Sequence, residues 1–556
     1  MNARTALTVS IVLARVLAGC AAHDAHDETG KDFTPETRPA PLFGDLGNHH
    51  HPITTKSEMA QKYFDQGLTL AFGFNHAEAV RSFEAAAKHD RNCAMCYWGM
   101  AFALGPNINA PMPPENLKAA WDALQKAERL SRHASARERA YIKALGKRYH
   151  EEPPADRAPL DRDFRDAMRK VAEAYPDDLD AQTIFAESAM DTMAWDYYLK
   201  DGSPKPLTNE AVATLERVLR AQPNHIGAIH YYIHAVEASS TPERAEPYAD
   251  RLGGLCPGAG HLVHMPSHIY YRVGRYNDAT VANERAAKAD ESYISQCKAQ
   301  GFYPAMYYPH NVHFLLASAM EEGRSAVAIA NGKKMYDMMP DTQFETFPVL
   351  EEFRPIYWYT LARFAKWQEI LAIPAPKATL RYSTAMWHYA RGRAFVGLGR
   401  LRDAERERAA LASIVDDPAL AAFKMQSGST AGQLMMIAER VLDASIAEAR
   451  GRTDDAVSDL RMAIAIQDSL PYTEPPPWYF PVRHALGATL LKARRADEAE
   501  RAYRDDLARN RENGWSLYGL AASLRAQNDA KAAAAADTLF KQAWTRADVE
   551  PTVSYR

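Results

Sequence analysis

The 556-residue chain has little of what marks the commoner function classes. Beyond its N-terminal leader, no apolar run approaches the ~20 residues that cross a bilayer. Charge of one sign is not in excess: 66 Lys and Arg stand against 70 Asp and Glu, a net charge of −4. That balance excludes the basic footprint of a nucleic-acid binder. Glycine and proline, 28 and 33 residues, are too few for a low-complexity or collagen-like chain. Alternating runs of β-branched residues are missing, which argues against strands. No nucleophile-elbow, HExxH, P-loop or dinucleotide-binding glycine motif is present, so the familiar hydrolase, zincin and nucleotide-binding readings fall away.

Cysteine is scarce, with Cys20, Cys93, Cys96, Cys256 and Cys297 only. Cys93 and Cys96 form a CxxC, but Tyr97 follows where haem attachment needs His, and the absence of a second CxxC speaks against a zinc ribbon. A disulfide or buried free thiols remain for the four downstream cysteines, and both suit an exported protein.

A repeat is present instead. Gly-x-(aromatic/aliphatic)-x-x-Ala recurs at Gly274–Ala279, Gly399–Ala404 and Gly451–Ala456, with looser copies at Phe74–Ala79 and Arg494–Ala499. Small residues at Gly67, Gly99, Gly392, Gly487 and Gly519 fall where a first helix needs room for its partner. Phe83, Ala86 and Tyr503 fall where a second helix fills that room, and Pro176 and Pro223 close repeats. This pattern resembles the tetratricopeptide repeat (TPR), a helix-turn-helix unit of about 34 residues. The resemblance implies an all-α, TPR-like α-solenoid, interrupted by Pro-rich insertions at Glu151–Pro159 and Leu470–Pro481 and by a further insertion at Ser292–Pro309. The aromatic Trp478, Tyr479 and Phe480 of the second insertion are expected to pack on the repeats.

The N-terminus reads as a targeting segment, with Arg4, an apolar stretch and small residues before Cys20. Leu17-Ala18-Gly19-Cys20 resembles the bacterial lipobox, which implies lipidation at Cys20 and anchoring in the cell envelope, facing the periplasm or the surface. An ordinary signal peptide cut after Ala22 is the alternative. The expected organisation is a leader over 1–19, a flexible tether over 20–56, N-terminal repeats over 57–150, central His-rich repeats over 160–345 and C-terminal repeats over 346–545.

Histidine is concentrated in the central repeats. His225, His230, His234, His261, His264, His268, His310 and His313 lie within one short stretch, and seven of them fall three, four or seven residues apart, sharing helix faces. Two repeat registers, one counted from Pro223 and one from Gly274, agree that a first helix begins at Gly260. In that register His230, His234, His261, His264, His268, His310 and His313 occupy groove-lining positions of successive first helices. Imidazole is the commonest transition-metal ligand, and all-His ligation suits Cu or Zn, and also Ni or Fe. Glu187, Asp191 and Glu237 are candidate carboxylates beside the site, and Tyr231, Tyr271 and Arg272 candidate pocket residues. Pro266 inside this helix either breaks it or begins it. His49-His50-His51 reads as a solvated loop, His76 as structural, His484 as remote from the cluster, and Asn107 and Asn109 as turn residues.

Three readings stay open at this point: a groove metal site, with or without catalysis; a polar small-molecule or peptide groove; and structural histidines in a protein-binding scaffold. Peptide-carboxylate grooves of TPR proteins use Lys, Arg and Asn, whereas this strip is imidazole.

Overall fold

A computed structural model describes residues 40–199, 202–297, 299 and 302–555. The leader and Cys20 lie outside the described residues. Among the described residues there is no strand, only three isolated bridges, and the chain is built from paired helices: an all-helical, TPR-like solenoid. No described helix is long and apolar enough to cross a membrane.

The local reason for the pairing is visible at two sites. Phe83, fully buried, projects between the helices Glu58–Phe72 and Ala94–Ala103. A Cβ at Gly67 or Gly99 would stand only 2.7 or 2.5 Å from its ring. Tyr503 does the same between Gly487 and Gly519, at 2.3 and 2.2 Å. Burying one such aromatic stabilises by ~1.5–3 kcal/mol, and a side chain at either glycine would push the helices apart.

The turn between paired helices needs one left-handed residue. Gly274, Gly399 and Gly451 supply it with φ of 90°, 72° and 76°. The looser copies adopt the same backbone without glycine, at Phe74 (φ 57°) and Arg494 (φ 62°).

The chain divides into two compact units. The first comprises Met1–Ile269 and Glu284–Asn311; the second comprises Tyr270–Asn283 and Val312–Arg556. In the first, the CxxC cysteines form a disulfide, Cys93–Cys96, while Cys256 and Cys297 are buried thiols. In the second, the Leu470–Pro481 insertion packs as its aromatics suggest. Trp478 and Phe480 are buried, Tyr479 stacks on Tyr359 at 4.5 Å, and its hydroxyl meets that of Tyr389 at 2.9 Å. The expected insertion after Ser292 is partly helix, because Tyr276–Cys297 runs on through it.

Residues 40–56 carry no helix, yet they are fastened to the first unit. Tyr63 donates to the Ala40 carbonyl at 3.0 Å, and the Gln66 amide bonds Pro41 O at 2.8 Å and accepts from Phe43 N at 2.9 Å. The reading of His49–His51 as a solvated loop is corrected. His50 alone is exposed, and it bonds Asp65 at 2.8 Å, while His49 and His51 reach a buried carboxylate.

Candidate metal centre

Four helices supply the cluster, whose histidines all belong to the first unit. Ile226–Val236 begins where the repeat register places it and carries His230 and His234 one turn apart. Gly260–His264 also begins on register and carries His261 and His264. It stops at Met265 because Pro266 has no N–H to continue the ladder, and a new helix, Pro266–Val273, starts at once. The break keeps His268 within reach of His264. Helix Tyr308–Glu321 contributes His310, just after a π-helical turn, Tyr303–Tyr307.

Six of the seven predicted histidines form two triads. In one, the ligand nitrogens of His230, His234 and His261 lie within 4.8 Å of one another; in the other, those of His264, His268 and His310 do. Nε2 of His261 is 3.2 Å from Nε2 of His230. Nε2 of His264 is 2.8 Å from that of His268 and 3.1 Å from that of His310. The triads adjoin: the rings of His234 and His268 are 5.4 Å apart and those of His261 and His264 5.7 Å. Ligands ~2 Å from one ion stand at most ~4 Å apart, so rotamer-scale adjustment closes either triad on a cation.

The partners of the distal nitrogens decide where the protons sit. Nδ1 of His230 is 2.5 Å from the Phe72 carbonyl, which can only accept, so Nδ1 carries the hydrogen. Nδ1 of His234 is 2.8 Å from Glu237 Oε1, and Nδ1 of His268 is 2.5 Å from Glu237 Oε2. One carboxylate therefore holds one histidine from each triad. Nε2 of His230 and of His268 therefore face the nitrogens of His261 and His264, and Nε2 of His234 is buried with no hydrogen-bond partner. A histidine oriented by a carboxylate or carbonyl on its far side is the usual support of a metal ligand.

Electrostatics agree with neutral rings. Burial, then the neighbouring His234, holds the His230 pKa well below its usual value; burial, then His230 and His264, does the same for His261. Burial also lowers His234, against the pull of Glu237. Burial pushes Glu237 upward, but His268 and His234 outweigh it and hold the carboxyl at about 2.

The cluster is an interior nest rather than an open groove. His230, His234, His261, His264 and His268 are 3% exposed or less. Phe74, held in its left-handed turn, lies 4.5 Å from the His230 ring and 5.4 Å from that of His261. Tyr307 covers His261 at 4.7 Å. Trp195, 44% exposed, meets His234 edge-on at 5.2 Å and stands between the nest and solvent.

Several predicted residues lie elsewhere. His313 belongs to no ligand group: its ring stands against Phe353 in the second unit, where burial alone takes its pKa to about 3. Tyr271 and Arg272 also fall in the second unit, against Phe314 and over Tyr472 respectively. Glu187 and Asp191 are buried in the first unit but join no ligand group. Asp191 pairs with Arg148 at 2.6 Å, and burial raises it to about 7; Glu187 is raised well above its usual value by burial and by Asp191. Tyr231 stacks beside His230 at 5.2 Å. His76 is half-buried at 3.4 Å from Asn107, whose own carbonyl closes the turn on Asn109 N. His484 bonds Asp506 in the second unit.

A second histidine group was not legible. Asp180, in the first turn of Leu179–Asp191, takes His49 Nε2 at 3.1 Å, His225 Nε2 at 3.2 Å and His51 Nδ1 at 2.7 Å. Against burial, His49 and its other imidazole partners hold Asp180 well below the usual carboxylate range, and Asp180 raises His51 against the pull of burial. His225 is the N-cap of its helix, its Nδ1 accepting from Ala228 N at 3.2 Å. Its proton therefore sits on Nε2 and is donated to Asp180, which leaves no lone pair for a metal there.

No family model and no curated protein matches the chain. Among solved structures it is similar to human IFIT1, solved as a dimer with m7Gppp-AAAA, at 13% identity and a TM-score of 0.31 over 88% of this chain and 91% of that one. It is also similar to the TPR domain of P58(IPK), at 12% identity and a TM-score of 0.23 over 85% and 99%. Yeast Tom70 matches at 12% and 0.28, over 86% and 92%. Likeness at this level carries no functional argument, and the fold assignment rests on the helix pairs themselves.

Proposed function

We propose that the protein is a TPR-like framework whose first unit houses a two-ion transition-metal site. His230, His234 and His261 hold one ion, His264, His268 and His310 the other, and Glu237 orients a ligand of each. The observation that carries this reading is the grouping of six imidazoles into two sets whose ligand nitrogens lie within 4.8 Å of one another, with Nδ1 of His230, His234 and His268 held from behind by a carbonyl or a carboxylate. TPR repeats in general bind proteins or peptides, but a peptide would need an open strip, and the imidazoles of the first triad are covered by Phe74, Tyr307 and Trp195.

The test is stabilisation by metal. A ligand that binds only the folded state stabilises by about 2.7 kcal/mol at a hundred times its dissociation constant. Metal-stripped protein should gain several degrees in Tm on adding Cu or Zn salts, and the His264→Ala/His268→Ala variant should gain less. A Tm unmoved by every divalent and monovalent transition ion would leave the scaffold reading in its place.

For the N-terminus we propose lipidation at Cys20 and residence in the cell envelope. Cys20→Ser should release the protein from membrane fractions; wild-type protein that is already wholly soluble contradicts it.

A further inference from the structure

We propose that the first unit carries a further binding site for a small zwitterion of the α-amino-acid class, a primary ammonium beside a carboxylate. The proposal goes beyond the metal reading and does not depend on it. The site is formed by Arg148, Glu187 and Asp191, which belong to neither triad. Glu187 and Asp191 lie one turn apart, on one face, at the end of helix Leu179–Asp191. Arg148 follows helix Ala136–Leu145 in the chain, and its Nη2 donates to Asp191 Oδ2 at 2.6 Å and to the Pro106 carbonyl at 3.0 Å.

Three polar atoms of this group are buried without a hydrogen-bond partner: Nη1 of Arg148, Oε2 of Glu187 and Oδ1 of Asp191. The residues are nearly shut off from solvent, with the Arg148 and Asp191 side chains 1% and 4% exposed and Glu187 2%. Buried polar atoms are almost always paired, so three orphans in one group call for a polar guest. One orphan is a donor on a cation, and two are oxygens of carboxyl groups. An ammonium donates to both oxygens, and a carboxylate on the adjoining carbon accepts from Nη1. Gly105 presents no side chain beside Nη1; a Cβ there would stand 3.4 Å from it and 2.6 Å from the Tyr149 hydroxyl.

Charge selects the zwitterion over either of its halves. Arg148 stands 2.6 Å from Asp191 and 3.5 Å from Asp161, and Arg157 stands 3.9 Å from Asp161, so two guanidinium groups face two carboxylates. Burial, with Asp191 adding to it, raises the Glu187 carboxyl well above its usual value, so Glu187 keeps its proton. A lone cation or a lone anion would unbalance this buried set, and a zwitterion does not. The guanidinium beside Asp191 opposes a metal ion on the same carboxyl pair. Orientation follows from the helix, whose C-terminal end is the negative end of its dipole and favours the ammonium there. Residues 194–196, just beyond that end, are exposed, which brings solvent close to Asp191.

The experiment is calorimetric titration of the full, metal-stripped chain with each standard L-amino acid, and with ethylamine, acetate and glycine betaine as controls. At least one amino acid should bind saturably, at one per chain. Ethylamine and acetate, each half of the zwitterion, and betaine, whose nitrogen has no hydrogen to donate, should bind about tenfold more weakly or worse. Glu187→Leu should weaken the amino acid by about tenfold or more, whereas Glu187→Gln, which keeps an acceptor in place, should weaken it only slightly. Far-UV circular dichroism checks that both variants fold; if Glu187→Leu does not, the control ligands decide alone. Binding of no amino acid, equal binding of ethylamine, acetate or betaine, or unchanged affinity in folded Glu187→Leu overturns the proposal. Metal titration of the same protein reads the histidine nest separately, so failure of either reading is told from failure of the other.

Discussion

The first unit contains two knots of histidine around a buried carboxylate, and they are built for opposite ends. Around Asp180, the His225 ring takes a backbone N–H on Nδ1, so its proton points at the carboxylate. Around Glu237, the carboxylate takes the protons on Nδ1, so the lone pairs point away from it, toward other imidazoles. Residue types and burial are nearly the same. What differs is which nitrogen the surroundings protonate, and that decides whether a histidine cluster is a clasp or a ligand nest. The Asp180 clasp fastens residues 49–51 to the repeats; the Glu237 nest leaves one lone pair, on His234, with no partner at all.

The largest expected effect separates the two knots outright. His264→Ala/His268→Ala should abolish metal retention by the second triad, a loss of at least ~100-fold in affinity, with helical circular dichroism nearly unchanged, because ligands rather than backbone supports are removed. Dialysis against metal followed by elemental analysis reads it.

Asp180→Asn should do the reverse. Removing one partner of a buried pair costs ~3–5 kcal/mol, because the remaining charge is stranded. Urea unfolding should show that loss, and metal content should stay at the wild-type level. A stable Asp180→Asn variant with depleted metal would merge the two knots into one.

Glu237→Gln is a finer probe. It keeps the shape but weakens the acceptor on both Nδ1 atoms, and losses of ~10–100-fold in metal affinity follow from altering such an outer partner. Equal losses in both triads would show that one carboxylate serves both; unchanged affinity would show that the rings hold their orientation without it.

The smallest effect is a difference in pH response. His51 is raised by Asp180, so its contribution to stability is complete below about 6.5 and is lost as pH rises through its folded value. Asp180 is depressed, so its contribution is present above about 3.9 and lost only as pH falls through its folded value. The clasp is strongest between those limits. The stability gap between wild type and Asp180→Asn should narrow as pH rises above about 7, measured by urea unfolding across the range. Metal retention should persist below about 6.5, because burial keeps His230, His234 and His261 neutral there, and should fall only at lower pH, since neutral imidazole is the ligating form. A gap constant from pH 5 to 9 would contradict the clasp.

Much of the framework was legible because TPR contacts are local. Gly67, Gly99, Gly487 and Gly519 could be matched to Phe83 and Tyr503 by period alone, and the Gly260 start was fixed by two registers. The shared helix faces brought His230, His234, His261, His264, His268 and His310 together. The missed elements are those the period does not describe. Phe72 reaches His230 across 158 residues, and His51 reaches Asp180 across 129, so neither follows from neighbouring repeats. His313 shares the helix face of His310 but stands against Phe353 and joins no ligand group, which spacing alone does not reveal. The enclosure of the strip was also out of reach, since the left-handed turn that aims Phe74 at the nest is occupied by a residue that ordinarily avoids it.

The most direct measurement is the elemental content of purified, untagged wild-type protein, His264→Ala/His268→Ala and Asp180→Asn, side by side after equilibration with a transition metal and removal of the excess. Retained metal in wild type and Asp180→Asn, with a clear deficit in the double variant, is the predicted result. No retained metal in any of the three, or equal amounts in all, would contradict the assignment of the Glu237 nest as a ligand site.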